Sequence, residues 1–372
     1  MATRKNGDTI TASVIAQYTL IIAGVLITIA FLYFIRNALL IAFGGVIFAV
    51  IINGFAAIIR QFIPISRGWA ILTVGVIFIA LITSFGFIFG SQIVQEFDKL
   101  TEKLPQQIIQ LRETISEWPL AGEIVNGENE NGNVGAEDGN ENQGDENNES
   151  EQSNNMPDDA GKKAFQVGVT IVDVLSTFGL ILIIGIYFVI DPETYKKGIA
   201  LLFTKERSDR VNEVMETTGK ALWKWLSGQF IVMLFVGVAV TIGLMLIGVP
   251  LALVLGLIAG LSEFIPIIGP WIGAVPGVLL AFSVDGQTAL YTAIFYIVIQ
   301  QIEGNILTPL IQQRMVHIPP AVVILSIVAF GLVFGIGGII LATPLAVVTM
   351  VLVGMFYVQD VLGKEVKVPG QE

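Results

Sequence analysis

Between residues 250 and 283 the chain is apolar enough to lie in a bilayer, yet Ile265-Pro266-Ile267-Ile268-Gly269-Pro270 interrupts that stretch at its centre. The carboxylate Glu263 stands two residues before the break. Two prolines remove backbone donors, and Gly269 frees the chain to turn. In hydrocarbon, unpaired backbone groups are expensive. Irregular backbone at membrane depth is therefore tolerated only where it is buried in protein or lines a polar cavity. A break of this kind beside an acid predicts a pathway rather than an anchor, because discontinuous helices build solute sites in this way.

The rest of the chain agrees with a membrane setting. Hydrophobic residues make up 54% of it and charged residues 14%, a balance outside that of soluble domains. Apolar runs cover residues 13–35, 38–59, 68–93, 165–190 and 226–247, followed by 250–283, 288–301 with its flanks, and 321–357. Spanning takes roughly 20 residues. The expectation is an all-α integral membrane protein of about eight hydrophobic segments, two of them broken. The first run is too long for a signal-peptide core and reads as a retained helix.

With no cysteine and one histidine, His317, the sequence excludes disulfides, thiolate nucleophiles and cysteine zinc sites. It has no Gly-x-x-x-x-Gly-Lys-Ser/Thr, Gly-x-Ser-x-Gly or His-Glu-x-x-His. No nucleophile, base and metal set can be assembled, so the chain is not expected to be an enzyme, and no metal, cofactor or nucleic acid is called for. Any solute movement would run on a gradient or by diffusion.

The net charge of −11 is local in origin: 17 acids and five bases fall between residues 92 and 163, against 14 and 15 elsewhere. Within that segment Ile93, Phe97, Leu100, Leu104, Ile108, Leu111, Ile115 and Trp118 form one helical stripe, which must be buried on this chain or on another copy. From 122 to 159 the composition turns to Glu, Asn, Asp, Gly and Gln, which predicts disorder. Lysines and arginines cluster before the first run, between the second and third, in 191–224, and at the end of the chain. Placing them inside puts both termini in the cytoplasm and the acidic loop outside.

The expected organisation follows from these features. Residues 1–93 form N-terminal transmembrane helices, and 94–163 the extracytoplasmic amphipathic helix and acidic loop. Residues 164–247 hold further transmembrane helices with a cytoplasmic helical segment at 191–224. Residues 248–358 make the core and 359–372 a cytoplasmic tail. Within the core, 250–283 and 321–357 look alike, since each begins at a proline, breaks at glycine and carries a later proline. Two such hairpins dipping from opposite faces would be an inverted repeat. The alternative makes each stretch two full spans.

Several motifs occur in order: Trp225-Leu226-Ser227-Gly228-Gln229, Gly248-Val249-Pro250, Phe264 to Pro270, Gln301-Ile302-Glu303-Gly304-Asn305-Ile306-Leu307-Thr308-Pro309, Gly335-Ile336-Gly337-Gly338 and Thr343-Pro344-Leu345-Ala346. In this order the chain resembles the AI-2E family, the autoinducer-2 exporter and PerM-like permease group. The resemblance implies a multi-pass plasma-membrane protein of bacteria or archaea and a homo-oligomer. It also implies export of a furanone-type quorum-sensing signal or, as described for some members, sodium(lithium)/proton antiport.

Glu263 is the leading site residue, as a proton or cation acceptor beside the Pro266–Pro270 break. Glu303, with Gln300, Gln301 and Asn305, is expected to coordinate a cation or hydrogen-bond a hydroxylated solute. Pro266, Gly269, Pro270, Gly335, Gly337 and Gly338 would shape the path. Trp223 and Trp225 suit an interfacial belt, and Trp271 an anchor at a hairpin tip. Gly304 and Pro309 should end the helix after 301. The partners expected are the lipid bilayer, a small polar solute and H+ or Na+. A non-transporting scaffold built on the 92–118 helix is the alternative from another class.

Overall fold

A computed structural model describes residues 6–80, 83–84, 173, 176–312, 316 and 318–371. The amphipathic stripe at 93–118, the acidic tract, Arg314 and His317 lie outside these residues. The described residues are helical, with no strand among them, as the hydropathy pattern requires.

Helix α1 (Asn6–Phe34) runs into α2 (Arg36–Phe62) through Ile35 alone. Backbone bonds Ile35 N→Phe31 O and Leu39 N→Ile35 O, each 3.0 Å, keep the ladder going on both sides of the joint. Every side chain from Val14 to Phe34 is exposed, so α1 stands clear of the bundle. A helix apolar on all sides is stable there only in hydrocarbon. Helix α2 instead buries Ile47, Ile52 and Ala56. It is followed by α3 (Arg67–Ala80) and α4 (Ser176–Ile190).

Asp191-Pro192 acts as the helix stop its sequence predicts. The Asp191 carboxylate accepts from the Thr194 amide at 3.2 Å and caps α5 (Pro192–Ala200), which bends 87° away from α4. Helix α6 (Lys205–Ile247) is 43 residues long and ends at Gly248 in a left-handed cap with φ 89°. Trp223 and Trp225 lie midway along it, where its charged first part gives way to the apolar run. Trp225 is buried and Trp223 packs edge-on to Phe55 at 5.6 Å, so both rings pack within the protein. The helix itself begins at Lys205, well before the apolar run at 226.

The core region folds as two helical hairpins. In the first, α7 (Ala252–Ser262) and α8 (Gly269–Phe282) run antiparallel. A Cβ on Gly273 would lie 2.7 Å from Ala259 Cα, and one on Gly269 would lie 2.1 Å from Ser262 O. Gly256 and Gly260 bring α7 equally close to Gly237 on α6, the small-residue packing that membrane helices use. Helix α9 (Gly286–Ile302) follows, capped by Asp285, which accepts from the Thr288 amide at 2.7 Å. It does not end at Gly304 or Pro309. A wide π-turn, Glu303–Leu307, carries it into α10 (Thr308–Gln312), with Thr308 N bonding back to Glu303 O. The extra residue in that turn accommodates the N–H that Pro309 lacks.

In the second hairpin, α11 (Pro320–Phe334) turns at Gly335 into the short α12 (Ile336–Ile340) and then α13 (Ala342–Leu352). Val322 and Phe330 share a cleft with Met350 and Ala346, so α13 returns along α11. A second wide turn, Val353–Gln359, extends α13. The tail folds back from there: Val368 is buried against α6, and Arg210 pairs with Asp360 at 2.8 Å.

Five stretches are long and apolar enough to cross a membrane: Val14–Phe34, Arg36–Phe62, Lys205–Ile247, Gly286–Ile311 and Ala342–Gln359. The bent α4–α5 pair makes a sixth. Helices α7, α8 and α11, of 11, 14 and 15 residues, are shorter than the roughly 20 residues a span needs.

Candidate functional site

The first hairpin tip cannot close without unusual backbone. Pro266 and Pro270 withhold donors, and Ile267 sits at φ 75°, a left-handed conformation that a β-branched residue rarely adopts. Ser262 Oγ lies 2.8 Å from Gly269 O and 2.9 Å from Ala259 O, positioned to donate to either across the mouth of the turn. Gln229 Nε2, from α6, donates to the Glu263 carbonyl. The Gln229 bond occupies a backbone acceptor that the break releases, as burial in an apolar medium demands.

A cavity of about 290 Å³ opens beneath this tip. Glu263, Pro266 and Pro270 line it from the first hairpin, and Trp225 and Gln229 from α6. Gln300, Glu303 and Thr308 enter from α9 and its π-turn, while Pro320, Val323 and Thr343 enter from the second hairpin. Four regions that the sequence singled out separately thus meet around one space. Glu263 is 3% exposed, and no described residue donates to its carboxylate or pairs with it. Glu303 accepts from Gln300 Nε2 at 2.9 Å and has no basic partner among the described residues.

Not every expected residue belongs to this cavity. Gln301 and Asn305 hydrogen-bond each other at 2.7 Å on an exposed face of the helix. Gly335, Gly337 and Gly338 form the far turn of the second hairpin and do not line the cavity. Trp271 is 70% exposed and also lies outside it. Gln229, Thr308 and Thr343 were within quoted motifs but not chosen as site residues. Only the fold shows that they converge.

Chemically, the arrangement offers two carboxylates without counter-charge among the described residues, flanked by amides and hydroxyls, on a mostly hydrocarbon wall. A buried carboxylate in this state is neutralised by a proton or a small cation. The amides and hydroxyls can orient a small polar molecule.

Helices long and apolar enough to span, others that break, and an acidic cavity beside the Pro266–Pro270 break mark a multi-span membrane protein. A family profile for AI-2E family transporters matches residues 22–357, nearly the whole chain. The chain belongs to that family. It is 37% identical over 166 residues to "Putative transport protein YrrI" of Bacillus subtilis (strain 168), covering 45% of this chain and 47% of that protein. A Thermotoga maritima "Putative transport protein" is 31% identical over 169 residues, 45% of this chain and 51% of the relative. "Putative permease PerM" of Escherichia coli (strain K12) is 26% identical over 158 residues, 42% and 44% of the two chains. The matches span about half the length of these relatives.

Proposed function

We propose that the chain is a secondary transporter that exports a small polar organic solute, an autoinducer-2-like signal being the choice the family suggests. In this reading Glu263 takes up and releases the coupling proton, and Glu303 with Gln300 holds the solute or a second charge. One observation carries it: two carboxylates with no basic partner among the described residues face a single cavity built from both hairpins. The volume, about 290 Å³, is at the lower end of ligand cavities, roughly 300–1,000 Å³, and suits a small solute.

The same pair of carboxylates favours a second reading, sodium(lithium)/proton antiport, because oxygen ligands and uncompensated negative charge also suit a hard monovalent cation. The charge pattern of the sequence supports cytoplasmic termini and an outer acidic loop in a plasma-membrane protein. The exposed, largely apolar stretch Val14–Phe34 of α1 is compatible with a homo-oligomer.

Internal pH in proteoliposomes separates the readings. Export predicts proton movement when the organic signal is added and none with sodium or lithium, and loss of the response in Glu263→Gln. A response to sodium or lithium, lost in the same variant, selects antiport. Normal transport by Glu263→Gln with unchanged pH dependence rules out the coupling role.

A further inference from the structure

A second cavity, of about 500 Å³, lies between α2, the α4–α5 bend, α6 and α13. It shares no lining residue with the acidic cavity. Its walls are hydrocarbon, with Val46, Val50, Val214, Leu222, Val348 and Leu352 among them. Polar atoms enter only at a few points, including Asn53, Tyr195 and Lys196.

Gly219, in the middle of α6, borders this space, and a Cβ placed there would meet nothing within 4 Å. Glycine weakens a helix interior, and no neighbour requires it here. Gly54 on α2 is the contrast, since its missing Cβ makes room for the Trp223 ring. At Gly219 the cavity stays open where a side chain would narrow it.

The charges beside the cavity indicate what it can hold. The 87° bend at Asp191 turns α5 across the direction of α4 and brings Lys196 to the cavity. Lys196 pairs with Glu193 at 3.0 Å, yet it remains 42% exposed. Arg67 reaches Asn53 Oδ1 and the Val189 carbonyl, each at 3.3 Å, which are neutral partners. Asp191, already engaged with Thr194, feels both Lys197 and Arg67. Lys196 lines the cavity and Arg67 reaches it through Asn53. Lys196 also feels Glu216, itself paired with Lys220 at 2.8 Å, so Arg67, Lys196, Lys197 and Lys220 stand against Asp191, Glu193 and Glu216, one cation in excess. Basic groups at the end of an apolar slot between helices match a phosphate head with a hydrocarbon tail. A free anion gains nothing from the walls, and a neutral lipid gains nothing from the cations.

We propose that this cavity holds an acyl chain of an anionic phospholipid whose phosphate is bound by Arg67 and Lys196. The site is independent of the transport reading, and its test reads lipid mass rather than flux. Native mass spectrometry of the purified full chain, titrated separately with phosphatidylglycerol and phosphatidylcholine, should show phosphatidylglycerol retained preferentially. The double variant Arg67→Gln/Lys196→Gln should weaken retention of phosphatidylglycerol roughly thirtyfold and leave phosphatidylcholine unchanged, as loss of two cations near an anionic lipid implies. Gly219→Leu fills the slot and should lose both lipids, with its thermal unfolding midpoint kept or raised because leucine favours helix. Equal retention of the two lipids by the wild type overturns the proposal. So does full retention by a folded Gly219→Leu, or displacement of the lipid by millimolar inorganic phosphate. If Gly219→Leu does not fold, the charge variant decides alone: unchanged phosphatidylglycerol retention there overturns the site.

Discussion

The two hairpins of the core reach the same cavity by different means. In the first, both arms are short, the turn is closed by non-glycine residues, and a buried carboxylate stands at the turn. In the second, a short arm returns as a helix extended by its π-turn into a spanning stretch, Ala342–Gln359. Its turn is carried by Gly335 at φ 67°, which glycine adopts freely, and it bears no ionisable group. The first hairpin is thus strained and charged where the second is relaxed and apolar. Local strain persists only where surrounding contacts over-determine it, and such places cluster at functional sites. In the function proposed above, the first hairpin accordingly carries the chemistry and the second supplies a wall.

The largest test of that contrast is functional. Glu263→Gln should reduce proteoliposome transport to the rate of empty vesicles, whereas Thr343→Val, on the second hairpin, should lower it only about two- to tenfold, the worth of one neutral hydrogen bond. Equal losses would erase the distinction. Next comes stability. Gly269→Leu places a side chain onto Ser262 O and Glu263 Cα and should lower stability by about 3 kcal/mol or more, read as a fall in the detergent unfolding midpoint. Gly335→Ala meets no neighbour within 4 Å and should lose only the backbone term, about 1–3 kcal/mol.

A smaller effect runs the other way. Ile267→Gly removes a left-handed strain of about 1–2 kcal/mol and gives up a side chain that is 48% exposed. Against this stands the entropy of glycine, about 0.5–1 kcal/mol, so the unfolding midpoint should hold or rise slightly. A marked fall would show that the turn is not strained. The smallest effect concerns acid. Hydrogen bonds from the Thr288 amide and hydroxyl hold the Asp285 carboxyl below its ordinary range. Its folded value being depressed, the cap's contribution is complete above the unfolded value, about 3.9, and is lost as pH falls through the folded one. Amide exchange at the start of α9, corrected for intrinsic rate, should therefore quicken in acid. Helix α11 begins at Pro319 with no side-chain cap and should show no such step.

Much of this was legible in the sequence because it is local. Hydropathy set the helices, Pro266 and Pro270 set the break, and an acid in an apolar stretch marked Glu263. Asp191-Pro192 carries the local signal of a helix stop and Asp285-Gly286 that of a turn, and a helix begins after each aspartate. What failed was tertiary or rotational. Gln300 and Glu303 are three apart and share the cavity face, while Gln301 and Asn305 are four apart and pair on another, so grouping all four ignored the helical wheel. Gln229 and Thr343 have no local signal, because their position depends on α6 and α13 arriving at the same place. The start of α6 at Lys205 was not legible in hydropathy, because its residues before 226 are charged and amphipathic rather than apolar.

At 43 residues α6 is about 65 Å long, roughly twice the hydrocarbon thickness, so about half of its length exceeds what a span needs and can act as a rigid lever. Gln229 ties it to the hairpin tip, and Arg210 ties its outer part to the tail at Asp360. These two attachments are about 28 Å apart along the helix axis at 1.5 Å per residue. A rocking of about 10° pivoting at Gln229 would carry Arg210 some 5 Å, close to the pitch of one helical turn, about 5.4 Å. A small change at the hairpin tip would thus be magnified into a displacement of the tail on the membrane surface.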